Sequence, residues 1–150
     1  MDRDREYVVE EYENGSRYEG EKVNGLRDGQ GKFYYKEGSY YDGHWKNNNM
    51  HGFGRLYYPN HKLAYEGDWF VDQFHGHGKV YNDEPAMIEG PFDYTNFENI
   101  EEKWKYYEGT LVCDSKEGFG KLVLSNDEYY EGNFQGDRLH GEGKFVNMYG

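Results

Sequence analysis

The chain has 150 residues, with 29 Asp and Glu against 17 Lys and Arg and a net charge of −12; that balance disfavours nucleic acid and anionic membrane surfaces, which need clustered cations. Aliphatic residues are scarce while Tyr, Phe and Trp make up 19% of the chain, so aromatic surface must supply most of the burial that opposes chain entropy. No apolar run approaches the roughly 18 residues of a membrane span, the start Met1-Asp2-Arg3-Asp4-Arg5-Glu6 is unlike a signal peptide, and the lone Cys113 excludes an internal disulfide and a Cys-based zinc site. The expectation is a soluble intracellular protein.

Residues 1–12 are charged and carry no repeat signal, so they read as an extended or frayed lead-in. Glu13-Asn14-Gly15 then offers an Asn-Gly turn into Tyr18. From there a phrase recurs: an aromatic residue, an acid and a glycine, followed nine residues after that glycine by a Gly-x-Gly pair. It occurs as Tyr18-Glu19-Gly20 with Gly29 and Gly31, Tyr41-Asp42-Gly43 with Gly52 and Gly54, Tyr65-Glu66-Gly67 with Gly76 and Gly78, Tyr107-Glu108-Gly109 with Gly118 and Gly120, and Tyr130-Glu131-Gly132 with Gly141 and Gly143. Tyr18, Tyr41 and Tyr65 are 23 and 24 residues apart, and Tyr107 to Tyr130 is 23 again. The chain is therefore a tandem array whose units must borrow their neighbours' apolar faces.

Within the second unit, Tyr41, Gly43 and Trp45 alternate with Asp42, His44 and Lys46, and Gly52, Gly54, Leu56 and Tyr58 alternate with Phe53, Arg55 and Tyr57. Period two predicts strands, and the polar Asn47-Asn48-Asn49-Met50-His51 reads as the hairpin loop between them. Parity places Gly43, Gly52 and Gly54 on the face of Tyr41 and Trp45, so both glycines of the pair are expected to form a bare platform beneath the rings. On the other face the acids Glu19, Asp42, Glu66, Glu89, Glu108 and Glu131 form one column and Lys32, Arg55, Lys79, Lys121 and Lys144 another. The cations are expected diagonally from the acids, with members of a column about 9.6 Å apart.

The fourth unit departs from the pattern. Ile88-Glu89-Gly90 falls 23 residues after Tyr65, but no Gly-x-Gly follows and only 19 residues separate Ile88 from Tyr107. Thr95-Asn96-Phe97 takes the place of the glycines, so a bend, twist or bulge of the sheet is expected, with Glu98 to Glu102 as an exposed excursion before Trp104 resumes the strand.

Tyr-Glu-Gly, the aromatic residues Trp45, Trp69 and Phe134 two positions after the glycine, the Asn or Asp turn and His-Gly-x-Gly at His51, His75 and His140 resemble MORN repeats, over about Glu13 to Gly150. The resemblance implies an all-β fold, tandem β-hairpins stacked into one elongated, twisted antiparallel sheet with a groove along one side. The units start near Tyr18, Tyr41, Tyr65, Ile88 (degenerate and shortened), Tyr107 and Tyr130 and form one array over residues 13–150. It implies a scaffold in a cytoskeletal, ciliary or flagellar assembly, or else the targeting or regulatory part of a larger enzyme of lipid kinase or lysine methyltransferase type. The family's name also suggests phospholipid binding, which the acidic charge opposes.

The residues themselves offer no catalytic chemistry. Three of the six histidines sit at one repeat position, which points to a loop role rather than a metal site, and no serine, cysteine or glycine motif has the setting of a nucleophile or a phosphate loop. No cofactor is called for. A one-layer sheet cannot cover both faces, and Tyr34, Tyr40, Tyr57, Phe53, Phe70, Phe119 and Tyr129 lie opposite the first set of rings. Rigid rings are good interface anchors. The expected function is a non-enzymatic adaptor holding a helical or extended protein segment on Tyr41, Trp45, Tyr57, Tyr58, Tyr65 and Trp69, with Phe92, Phe97 and Trp104 of the broken unit setting its register. The open sheet ends also allow end-to-end association.

Overall fold

A computed structural model describes residues 4–94, 100 and 102–147. It is a single antiparallel sheet of eleven strands in sequence order. The strands are β1 (Arg5–Glu11), β2 (Arg17–Val23), β3 (Leu26–Tyr34), β4 (Tyr40–Lys46), β5 (Asn49–Tyr57), β6 (Leu63–Phe70), β7 (Gln73–Tyr81), β8 (Trp104–Val112), β9 (Ser115–Leu124), β10 (Tyr129–Gln135) and β11 (Arg138–Val146). Among the described residues there is no α-helix. With a strand spacing of about 4.8 Å the sheet runs roughly 48 Å across its strands, so the core is a long strip rather than a ball.

The segment read as a lead-in contains β1, which pairs with β2 from Arg5↔Val23 to Glu11↔Arg17. Its apolar residues are consecutive, so no period announces it. Charge fixes it instead: Glu10 meets Lys22 at 2.7 Å, and Arg5 reaches Glu21 at 3.5 Å and Asp28 at 3.4 Å.

Each hairpin closes on two residues with positive φ: Asn24-Gly25, Asn47-Asn48, Val71-Asp72, Cys113-Asp114 and Gly136-Asp137. This corrects the five-residue loop expected at 47–51, since Asn49–His51 already belong to β5. Such a turn twists with the strands and favours Asn, Asp and Gly. The polar run looked like a longer loop because a bulge follows: between Gly43↔Gly54 and Trp45↔Met50, β5 carries two more residues than β4. The same shift follows the central glycine in all five hairpins.

The bulge separates the jobs of the two glycines. Gly52 has φ +81 and a Cβ there would meet only the His44 side chain, at 3.4 Å; Gly54 has ordinary φ, and a Cβ there would lie 2.2 Å from the Tyr41 hydroxyl. Only the second glycine is a platform, and the first serves the backbone.

The fourth unit does not bend the sheet; it leaves it. β7 pairs directly with β8 through Gly78↔Gly109, Lys79↔Glu108 and Val80↔Tyr107, the register of Gly31↔Gly43, Lys32↔Asp42 and Phe33↔Tyr41. The backbone bond Asn82 N–H to Lys105 O (3.0 Å) repeats that of Tyr35 N–H to Ser39 O (2.9 Å), so residues 83–104 hang within one inter-repeat loop. A unit without its glycines has no place under a tyrosine, whereas the flanking strands keep theirs. Trp104 does begin β8, as expected; Phe97 and most of the acidic run lie outside the described residues.

The charge columns also need correction. Cations lie directly opposite acids, not diagonally: Glu19↔Lys32↔Asp42↔Arg55↔Glu66↔Lys79↔Glu108↔Lys121↔Glu131↔Lys144 is one alternating row across ten strands. Glu89, placed in the acid column from its spacing, is exposed in the excursion and is not part of the row.

Candidate functional site

The site begins with the repeat tyrosines. Tyr18, Tyr41, Tyr65 and Tyr107 are fully buried, each lying over the second glycine of its own hairpin. Their hydroxyls donate to backbone carbonyls three residues on, Glu21 O (2.7 Å), His44 O (2.7 Å), Asp68 O (2.6 Å) and Thr110 O (2.8 Å), at the bulge where the ladder is interrupted. A buried ring thus keeps its polar tip satisfied. Burial raises the pKa of all four phenols, that of Tyr107 to about 12.

Tryptophan joins neighbouring repeats. Trp45 donates to Gly31 O and Trp69 to Gly54 O, each at 3.0 Å and each in the preceding hairpin. The rings alternate edge to face along the sheet: Tyr18–Trp45 5.4 Å, Trp45–Tyr41 5.2 Å, Tyr41–Trp69 5.0 Å and Trp69–Tyr65 5.3 Å between centroids. This is the favoured geometry for ring quadrupoles.

Above this floor runs a groove of about 580 Å³. Phe33, Tyr35, Leu56 and Phe74 form its half-buried walls over Trp45, Met50 and Trp69, and Arg27, Asn48, Asp72 and Asp114 lie along its rim. Arg27 closes the first end, its guanidinium 4.9–5.6 Å from the rings of Phe33, Tyr18, Trp45 and Tyr12. The rim is rigid, because each turn clasps the previous repeat: Asp72 N–H donates to Met50 O while Met50 N–H donates to Asp72 Oδ1 (2.8 Å), and Asp114 does the same with Phe74. The second clasp crosses the β7–β8 junction, so the groove continues past the missing unit.

The structure sorts the residues expected at the site. Trp45 and Trp69 are the groove floor; Tyr41 and Tyr65 lie beneath it and support it. Tyr57 is on the opposite face, stacked on Tyr40 at 4.5 Å. Tyr58 sits at an inter-repeat loop and donates its hydroxyl to Tyr81 O. Phe92 is buried in the excursion, its backbone N–H donating to Glu128 Oε1 (2.7 Å) and its ring 6.4 Å from Phe145. Trp104 packs against the core strip near Lys116, 5.8 Å away, and Phe97 lies outside the described residues. Sequence reasoning missed Arg27, Met50 and Phe74, which share one position two before the first glycine of the pair, and the wall residues Phe33, Tyr35 and Leu56.

Among the described residues no group of three His, Cys, Asp or Glu side chains converges on a metal position. Hairpins of fixed period sharing one continuous aromatic core define a repeat protein of adaptor type. The MORN repeat family matches residues 18–40, 41–62, 65–82, 107–128 and 130–146, more than half of the chain, and the protein belongs to that family, which is generally a non-catalytic module. The unmatched stretch after residue 82 coincides with the excursion. No match is found among curated proteins.

Proposed function

We propose that the protein is a non-enzymatic adaptor that docks a segment of a partner protein in the groove over repeats one to three, in a cytoskeletal or ciliary setting of the kind the resemblance implies. One observation carries this reading. At repeats five and six the equivalent rim is occupied by the chain's own Phe92 and Tyr94, which pack on Phe145 at 6.4 and 5.1 Å, whereas the rings over Trp45 and Trp69 stay half open. The groove therefore has an aromatic floor, a rigid rim and room for the apolar face of another chain. Asp72 and Asp114 on that rim, within a chain of net charge −12, favour a segment with cationic residues on one flank.

The test is capture from the native cell with wild-type protein and with Leu56→Glu, a wall substitution that leaves the tyrosine floor in place. Loss of a specific partner with an unchanged melting curve supports groove docking. Retention of that partner by Leu56→Glu, and its loss on Phe119→Ser on the opposite face, would place the interface elsewhere.

A further inference from the structure

The three strands that open a repeat across an inter-repeat junction do so with one short phrase. Asp42-Gly43-His44-Trp45, Glu66-Gly67-Asp68-Trp69 and Glu131-Gly132-Asn133-Phe134 each carry acid, glycine, any residue and an aromatic, and Glu108-Gly109-Thr110-Leu111 is the aliphatic variant. The register explains it. The glycine faces the preceding strand's second glycine (Gly31↔Gly43, Gly54↔Gly67, Gly78↔Gly109, Gly120↔Gly132), the acid faces its cation (Lys32↔Asp42, Arg55↔Glu66, Lys79↔Glu108, Lys121↔Glu131), and the large residue faces its first glycine (Gly29↔Trp45, Gly52↔Trp69, Gly76↔Leu111, Gly118↔Phe134).

β11 is the outer strand, and it presents the same receiving surface. Gly141, Gly143 and Lys144 stand where Gly29, Gly31 and Lys32 stand in the first repeat. Gly143 is exposed where Gly31, Gly54, Gly78 and Gly120 are buried. Yet β11 also carries the incoming phrase, as Glu142-Gly143-Lys144-Phe145. The other strands of its kind have Gln30, Phe53, His77 and Phe119 at the position of Glu142, so only the last can act as both donor and acceptor.

We propose that β11 is the surface through which two copies of this chain join, antiparallel and related by a two-fold axis at Gly143. That axis sets Gly143 against the second copy's Gly143, Lys144 against its Glu142 and Gly141 against its Phe145. All three pairings repeat those of the internal junctions, and the two-fold makes each occur twice. Glu142 and Lys144 lie on the outer face, and Phe145 lies on the groove face opposite Tyr130, where Trp45 and Trp69 lie at the internal junctions. Tyr94 stacks on Phe145 at 5.1 Å and steadies its ring. The edge at β1 has no such phrase; paired with itself about Val8 it would set Glu6 against Glu10, and like charges directly opposite are unfavourable. The interface thus specifies a closed dimer and not a filament, and it goes beyond groove docking, on which it does not depend.

Sedimentation of the wild type, of Glu142→Lys, of Lys144→Glu and of an equal mixture of the two variants tests it. The wild type is expected at twice its 17.8 kDa chain mass. Each variant alone places two like charges opposite one another and is expected at the monomer mass, with its dimer weakened by about tenfold or more. The mixture sets two lysines of one copy against two glutamates of the other, so dimer is expected to return. Lys144→Glu also disturbs the 3.7 Å pair with Glu131, so melting curves accompany it; Glu142→Lys, at an exposed position, carries the test alone if that variant does not fold. A wild type that stays at 17.8 kDa up to about 0.5 mM, a dimer that survives Glu142→Lys, or a mixture of folded variants that stays monomeric would each overturn the proposal.

Discussion

The strip of core is built differently in its two halves. In repeats one to three, Trp45 and Trp69 bridge consecutive tyrosines and donate to the carbonyl of the preceding hairpin. In repeats five and six, Leu111 and Phe134 take those positions. Leu111 has no donor for Gly78 O, and Phe134 meets Tyr107 and Tyr130 edge to face, at 5.2 and 5.4 Å, by its ring alone. The second half is supported from outside the sheet, where the excursion brings Phe92 against Phe145 and ties its backbone to the loop 125–128 through Ser125 Oγ to Ala86 O (2.7 Å) and Asn126 Nδ2 to Gly90 O (3.2 Å). A unit that lost its glycines could no longer fill the lattice, but it could brace the part of the lattice that lacks tryptophan.

Alkaline pH should divide the halves most sharply. A buried phenol with a raised pKa is neutral when folded, so its contribution is complete below the unfolded value of about 10 and is lost as pH rises through the folded value. For Tyr107 that value is about 12; burial drives Tyr18, Tyr41 and Tyr65 higher still. Loss of structure is therefore expected above pH about 10, first in repeats five and six. Tyrosinate absorbance and circular dichroism should change before the fluorescence of Trp45 and Trp69. A single coincident transition would show that the strip melts as one unit.

Glycine substitution attacks the lattice directly. In Gly54→Val a Cβ would sit 2.2 Å from the Tyr41 hydroxyl and 2.5 Å from its ring, so the ring must leave the floor that also carries Trp69. The expected loss is about 2–4 kcal/mol in chemical denaturation. Gly15→Val, whose Cβ would meet only the flexible Lys36 side chain at 3.3 Å but which needs φ +92, should lose less. Equal losses would mean that ring stacking is not what holds the middle of the sheet.

These expectations rest on features the sequence displays unevenly. The period, the hairpins and the tyrosine over its second glycine are legible because each repeat needs the same residue there, and repetition amplifies a signal that one copy would leave ambiguous. The groove walls are not. Arg27, Met50, Phe74, Lys116 and Leu139 share a position but not a chemistry, since that position looks outward over the floor and its residue is free to vary. Direct opposition in the charge row was hidden by the bulge, which shifts register by two residues in each hairpin. The path of the excursion depends on Phe92 meeting Phe145 and Glu128, contacts far apart in sequence with no repeated counterpart.

Excision of the brace tests whether it supports or merely accompanies the second half. Replacing residues 83–104 with a copy of Lys36-Glu37-Gly38 restores the regular loop between Asn82 and Lys105. The β7–β8 register should survive, because Gly78↔Gly109 is already in lattice position. Loss of the buried Phe92, and of Trp104 with it, is expected to weaken repeats five and six by about 2–3 kcal/mol. Hydrogen exchange should quicken in β10 and β11 while β3 to β6 stay protected; faster exchange throughout would make the excursion part of the global core.

The smallest effect lies on the outer face, where the halves again differ. Arg55 meets Glu66 at 2.6 Å and Lys32 meets Asp42 at 4.0 Å. Lys79 and Lys121 lie instead over the rings of Tyr106 and Tyr129, 4.2 Å from each centroid. The carboxylate pairs are half exposed and screened by salt, so Arg55→Ala should lose no more than about 1 kcal/mol and less at high ionic strength. A lysine over a ring also covers apolar surface with its stem, a contribution of about 0.5–1 kcal/mol that screening reaches less. Lys121→Ala should therefore match Arg55→Ala in size at low salt and exceed it at high salt. Thermal melts of both variants across a salt series read this difference, and equal salt sensitivity would mean that Lys121 acts through its charge opposite Glu108 and Glu131 rather than through the ring beneath it.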